Sequence, residues 1–351
     1  MSMLLLLALG VGVLAFAIGG DGDESSDPDR SGGNSDPETV DQDILVQDQT
    51  EVTTGDGDDR IASVGILEQA VLINSGSGND LLDIDTATEV DGAPLPASSL
   101  DTGDGNDTIL ASGNAEIVTG DGDDVVTFDR HAGQPRASAA IDTGDGNDVI
   151  TTRVSEVRVN AGDGADVIQV ENMDYGDVDA GAGNDTLRFD FEDTFGFDNM
   201  EEITGGDGDD LIEVRAETQL VASDDEYIRG GNRIYGDYNP GLSGGSGADT
   251  FEIEMYLGSY GVAEGGTYVL GAPAYIEDFD PDEDVLILDP GFERLWPDVE
   301  VSDVNRGDGD RYQFIVTYSG ASSGATGVMT LLVFSEKPVT VDDLQIVRPA
   351  A

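Results

Sequence analysis

One short pattern returns nine times along this 351-residue chain, and its fixed columns constrain the fold more than any other feature. The copies are TGDGDDRI from Thr54, SGSGNDLL from Ser75, TGDGNDTI from Thr102, TGDGDDVV from Thr119 and TGDGNDVI from Thr143. They continue as AGDGADVI from Ala161, AGAGNDTL from Ala180, GGDGDDLI from Gly205 and GGSGADTF from Gly244. Glycine holds the second column at Gly55, Gly76, Gly103, Gly120, Gly144, Gly162, Gly181, Gly206 and Gly245. It holds the fourth at Gly57, Gly78, Gly105, Gly122, Gly146, Gly164, Gly183, Gly208 and Gly247. Aspartate holds the sixth at Asp59, Asp80, Asp107, Asp124, Asp148, Asp166, Asp185, Asp210 and Asp249. The eighth is always apolar: Ile61, Leu82, Ile109, Val126, Ile150, Ile168, Leu187, Ile212 and Phe251.

Each column has a physical reason. Two glycines permit positive φ or close backbone approach, so a tight turn can aim its carbonyls inward. The fifth column is Asn or Asp in seven of the nine copies. These are the residues that best tolerate the left-handed conformation after glycine, which predicts positive φ there. The sixth-column carboxylates are hard oxygens, the kind that Ca²⁺ gathers six to eight at a time at ~2.3–2.6 Å. The eighth-column residue opens a short strand and points into a core, and its neighbours face away with a period of two. A single Gly-x-Gly-x-Asp is satisfied by an ordinary turn in which aspartate caps backbone amides. Nine copies in register point further.

These columns resemble the nonapeptide of the RTX, or haemolysin-type, calcium-binding repeat. The resemblance covers residues 54–253 and extends more loosely to Tyr275–Leu288, YIEDFDPDEDVLIL. It implies an all-β fold, a parallel β-roll whose coils of about eighteen residues hold two turns and two short strands. It also implies Ca²⁺ between successive turns, with the nine aspartates and eighteen glycines above as the metal-site residues. The spacing between aspartates is 21, 27, 17, 24, 18, 19, 25 and 39 residues. Several values approach one whole coil and none approaches nine. One edge should therefore carry the consensus turns, and the other degenerate ones such as Ser112-Gly113-Asn114 and Asp174-Tyr175-Gly176. That predicts one calcium ladder, strongest from Asp107 to Asp185. The 27- and 39-residue gaps should hold extra loops or half-coils.

Charge supports a cation in the folded state. Lys and Arg total 15 against 74 Asp and Glu, a net −59. A compact chain with that charge repels itself unless cations belong to the fold. Nucleic acid is excluded as a partner, because phosphate recognition needs clustered Lys and Arg. Docking on anionic lipid is disfavoured for the same reason. The chain has no cysteine and one histidine, His131. Disulfides, thiolate zinc sites and Cys nucleophiles are out, and histidine-based metal sites or triads have almost nothing to work with.

The chain divides into four segments. Residues 1–20 contain the apolar run Met3 to Ile18. As a helix, this run spans ~24 Å and is expected to be a signal peptide, with Ala15-Phe16-Ala17 as a small-x-small cleavage site, or an uncleaved anchor. Residues 21–43 read as an acidic disordered linker and 44–253 as the calcium-binding roll. Residues 254–351 carry strand-like runs such as Tyr312 to Tyr318 and Gly327 to Phe334. They read as a β-rich C-terminal cap, which a solenoid needs over its last apolar face. The resemblance implies that the tail from Val339 to Ala351 carries a type I secretion signal.

The expected function is calcium binding by a secreted or surface-tethered protein that folds as it meets Ca²⁺ outside the cell. Its role would be structural or adhesive, with cell-surface or matrix components as partners. Extracellular calcium modules bind at ~10⁻⁴–10⁻³ M, so such sites empty in the cytosol and fill outside. The alternative is an extracellular enzyme acting on polysaccharide with its active site on the roll. No HExxH or strand-turn-helix GxSxG accompanies the repeats, so no enzymatic activity is expected. Two oddities, RGGNRIYGDY at Arg229–Tyr238 and His131 within Asp129–Arg136, read as loop or degenerate coil.

Overall fold

A computed structural model describes residues 41–130, 137–171, 173, 175–191, 199–218, 221–222, 241–257, 267–270, 275–289, 298–306, 311–319 and 326–347. The expected N-terminal helix, most of the linker, His131, the Arg229–Tyr238 segment and residues 348–351 lie outside them. The described part is all-β, built as a parallel solenoid of two long sheets. Among the described residues no helix is long and apolar enough to cross a membrane.

The first sheet has twelve strands, and every pairing in it is parallel. It begins at Asp43–Val46 and Arg60–Ser63, and its members from Leu81–Asp85 to Thr250–Leu257 each follow one glycine turn. The second sheet has fifteen strands. Strands such as Ser98–Asp101, Asn114–Val118 and Ser138–Asp142 lead into those turns. One coil is thus an inbound strand, a glycine turn, an outbound strand and a return connection at the opposite edge.

The register explains the apolar column. Ile61 pairs with Leu82, Leu82 with Ile109, and so on through Ile212 with Phe251. All nine are fully buried. The inbound strands supply the facing stack: Ile73, Leu100, Ile117, Ile141, Val159, Val178, Ile203 and Leu242. Strands such as Val125–Asp129 alternate exposed and buried residues, the period-two signature of a sheet with one wet face. The interior is one continuous apolar column between the two sheets.

Stacking does not stop at residue 253. Phe251 pairs with Leu286, and Leu286 with Leu344, so Val285–Asp289 and Leu344–Ile346 prolong the first sheet. Tyr275–Ile276 prolongs the second. The long strands Asp298–Arg306, Arg311–Ser319 and Thr326–Phe334 form an antiparallel array that joins it. Phe314, Leu331 and Val333 carry the buried column to this end.

The 27-residue gap between Asp80 and Asp107 holds an extra loop. Glu89–Val90 and Ala93–Pro94 pair as a small hairpin. Asp91 (φ 53°) and Gly92 (φ 78°) form its turn. Two successive positive φ values are what a two-residue hairpin turn needs to match strand twist. Part of the 39-residue gap between Asp210 and Asp249 is the extended strand Leu211–Thr218 and the short Val221–Ala222.

Candidate metal edge

All nine turns lie on one edge of the solenoid, stacked coil on coil. The reason they must be glycine is visible at Gly103 and Gly105. Their φ values are 80° and 140°. A Cβ on Gly103 would stand 1.9 Å from the Gly76 carbonyl oxygen, and one on Gly105 would stand 1.7 Å from that of Gly78. No side chain fits at either distance. The same contact recurs down both columns. The turns are also tied by backbone: the Gly105 amide donates to the Asp121 carbonyl at 2.8 Å, and that of Gly122 to Asp145 at 2.7 Å.

The sixth-column aspartates form a directional ladder. The amide of Asp59 donates to Oδ1 of Asp80 at 2.7 Å, and that of Asp80 to Oδ1 of Asp107 at 2.7 Å. The same bond links Asp107 to Asp124, Asp124 to Asp148, Asp148 to Asp166 and Asp166 to Asp185. It then joins Asp185 to Asp210 and Asp210 to Asp249. Each carboxylate thus caps the coil before it.

The fifth column runs the opposite way. The amide of Asn79 donates to Oδ1 of Asp58, Asn106 to Asn79, Asp123 to Asn106 and Asn147 to Asp123. The expected left-handed conformation is absent: among the described residues only Asp91 combines a side chain with positive φ. Asn and Asp are present because their side-chain oxygen satisfies the amide of the next coil, which Ala165 and Ala248 cannot do for a successor.

The two ladders differ in what they leave over. The fifth column is exposed, but all nine sixth-column aspartates are at most 2 % exposed. In eight of them, from Asp59 to Asp210, the second oxygen, Oδ2, is buried without a hydrogen-bond partner. Burial, foremost, pushes the carboxyls of Asp107 and Asp185 up to about 7, and neighbouring aspartates of the ladder add to it. Burial likewise raises Asp166 and Asp249 to about 6, and lifts Asp80, Asp124, Asp148 and Asp210 above the ordinary range. A row of buried, half-satisfied carboxylates is costly unless protons or cations meet it.

Two ladder members carry no Gly-x-Gly signature. Asp284 occupies the sixth column of a further coil, accepting the Asp249 amide at 3.0 Å with Oδ1 and the Asp280 amide at 2.7 Å with Oδ2. Its signal was Asp284-Val285-Leu286, a sixth-to-eighth match inside the looser Tyr275–Leu288 segment. Asp278 stands in for a turn, accepting from Ser243 Oγ and from the amides of Gly244 and Gly245. At the other end the Gln42 amide donates to Asp59 Oδ1 at 2.7 Å.

The donor set fits a hard cation in kind: buried carboxylate oxygens and turn carbonyls, with no softer ligand. Among the described residues no three acidic or histidine side chains converge on one point. A metal here would therefore take backbone carbonyls along with each carboxylate. At the expected degenerate turns of the opposite edge, Gly113 packs against Thr86 and Gly176 against Val157, and among the described residues no stacked aspartate column accompanies them.

Fold and edge together define a parallel β-solenoid with one glycine-aspartate edge. Among known proteins, no family model matches the chain and no curated sequence is similar to it.

Proposed function

We propose that this edge is a calcium-binding ladder and that the chain is an RTX-like β-roll. The observation that carries this reading is the row of eight buried, unpartnered Oδ2 atoms, one per coil. Each is a hard carboxyl oxygen already fixed in place, because its Oδ1 is held by a backbone amide. Ca²⁺ accepts such oxygens in flexible numbers, which suits coils whose spacing differs. Asp59, Asp80, Asp107, Asp124, Asp148, Asp166, Asp185, Asp210 and Asp249 would supply the carboxylates. The glycine-column residues would supply carbonyls. Asp284, both of whose oxygens are satisfied by amides, would close the ladder rather than extend it.

Nine divalent cations would offset under a third of the net −59. Calcium therefore acts locally, on the buried row, and leaves the protein strongly anionic. Affinities of ~10⁻⁴–10⁻³ M suit a protein that stays open inside the cell and folds outside it. On this reading it is exported, held at or near the cell surface, and serves as a structural or adhesive element with no catalytic role.

Equilibrium dialysis with ⁴⁵Ca²⁺, paired with far-ultraviolet circular dichroism, tests the proposal. The expected result is several ions bound per chain and a gain of β signal over the same concentration range. Absence of stoichiometric binding up to 10 mM, about ten times the weakest expected Kd, would falsify it.

A further inference from the structure

The first column of the repeat changes character halfway along the edge. It is Thr54, Ser75, Thr102, Thr119 and Thr143 in the first five copies, then Ala161, Ala180, Gly205 and Gly244. The threonine hydroxyls donate across the stack. Thr54 Oγ1 reaches the Ser75 carbonyl at 2.7 Å, Thr102 that of Thr119 at 3.5 Å, Thr119 that of Thr143 at 3.2 Å, and Thr143 that of Ala161 at 3.0 Å. The four successive coils from Thr102 to Ala161 are therefore zipped by three side-chain bonds that need no metal. Ser75 is the exception, its buried hydroxyl reaching no carbonyl of the next coil.

From Ala161 onward the first column has no hydroxyl to give, while the backbone rungs continue unchanged. Gly164 donates to Ala182, Gly183 to Asp207 and Gly208 to Ser246, each at 2.7 Å. In the last two copies the carboxylate leans into the space left by the missing side chain. Asp210 Oδ2 stands 2.3 Å from where a Cβ on Gly205 would be, and Asp249 Oδ2 2.2 Å from one on Gly244.

We infer that the first column divides the edge into two blocks: coils 102–161, tightened without metal by threonine hydroxyls, and coils from 161 onward, which lack that bond and are tightened by the cation. The inference rests on the calcium reading and adds a regulatory layout to it. Metal would complete the second block on a scaffold that the first already provides.

Hydrogen exchange of the full chain tests it with matched probes, because the fourth-column amides make the same backbone bond in both blocks. A net hydrogen bond of this kind shifts an opening equilibrium about fivefold, and three in succession shift it on the order of 100-fold. In chelator, Gly105, Gly122 and Gly146 amides should exchange that much more slowly than those of Gly183 and Gly208. In saturating Ca²⁺ the two sets should converge. Equal protection in chelator overturns the inference, as does a gap that persists with calcium bound. If dialysis shows no bound calcium, the inference and the calcium reading fall together. Bound calcium with uniform exchange removes the inference alone.

Two variants work in opposite directions. The double substitution Thr119→Val, Thr143→Val keeps shape and removes both hydroxyls. It should bring metal-free exchange of Gly122 and Gly146 up to that of Gly183. Ala161→Thr adds a hydroxyl to the second block, threonine being chosen because the Ser75 hydroxyl makes no such bond. It should slow metal-free exchange of Gly164 about fivefold. No slowing in a folded Ala161→Thr protein counts against the inference even if the double variant does not fold.

Discussion

The two edges of the solenoid obey opposite rules. Along the glycine edge, every copy has the same eight positions without insertion, and backbone lies directly on backbone. Along the other edge, the connection shrinks to Gly113 alone between Ser112 and Asn114 and swells to a hairpin between Asp85 and Ser98. The lesson is that the stack needs only one edge to be exact. Parallel strands stay in register once the turns on one side are locked, so variation in length passes to the side where close stacking is confined to single glycines such as Gly113 and Gly176. The same asymmetry concentrates buried charge, because the locked edge excludes water from a column of carboxylates.

The largest expected effect breaks the locked edge. Gly146→Ala would place a Cβ 1.7 Å from the Gly122 carbonyl oxygen at φ 151°. It should cost about 3 kcal/mol or more in urea unfolding. Gly92→Ala, in the hairpin, has a similarly unfavourable sign of φ but nothing within 4 Å. It should cost about 1 kcal/mol. Comparable losses at the two sites would refute the distinction between the edges.

Next comes pH. The folded carboxyls of Asp107 and Asp185 lie at about 7, and those of Asp166 and Asp249 at about 6, against 3.8 when unperturbed. Between these values the folded chain holds protons that the unfolded chain has released. Stability of the metal-free protein should therefore fall as pH rises from about 4 through about 7, by a few kcal/mol. Calcium competes with those protons, so its stabilising effect should grow over the same interval. Urea midpoints from pH 4 to 8, with chelator and with Ca²⁺, check both slopes. A metal-free stability that rises with pH contradicts the burial argument.

A smaller effect isolates one carboxylate. Asp148→Asn keeps an Oδ1 acceptor for the Asp124 amide and removes the charge. At pH 7 in chelator it should raise stability by about 1 kcal/mol, since an unpaired buried charge is gone. In saturating Ca²⁺ the order should reverse. If the variant gains equally in both media, calcium does not meet this carboxylate.

Much of this was legible from spacing, and the failures have a common cause. The glycines, the aspartates and the buried Ile61-to-Phe251 column show in the sequence because each has its own repeating position. The single-edge arrangement followed from aspartate intervals near one coil. The role of the fifth column does not show in the sequence because it depends on an amide one coil away: Asn79 and Asn106 are 27 residues apart and meet only after stacking. Asp284 was hidden because it keeps the ladder bond while Asp278 replaces the glycine turn. The threonine zipper was hidden because hydroxyl and carbonyl belong to different copies. Contacts within a copy are readable in one dimension; contacts between copies need the register.

The mildest perturbation tests the tolerant edge most directly. Four Gly-Ser residues inserted between Asp91 and Gly92 lengthen a connection that already departs from the core as a hairpin. Doubling a flexible loop adds only about 0.6 kcal/mol of closure entropy, so the loss should stay below about 1 kcal/mol. The same four residues between Gly122 and Asp123 would separate a backbone rung from its ladder and should abolish cooperative unfolding of the roll. If the hairpin insertion proves as damaging as the turn insertion, register is set by both edges. The length variation at the return connections would then need another explanation. If it is silent, the aspartate edge alone carries the register, and with it the spacing of the carboxylates that a cation would meet.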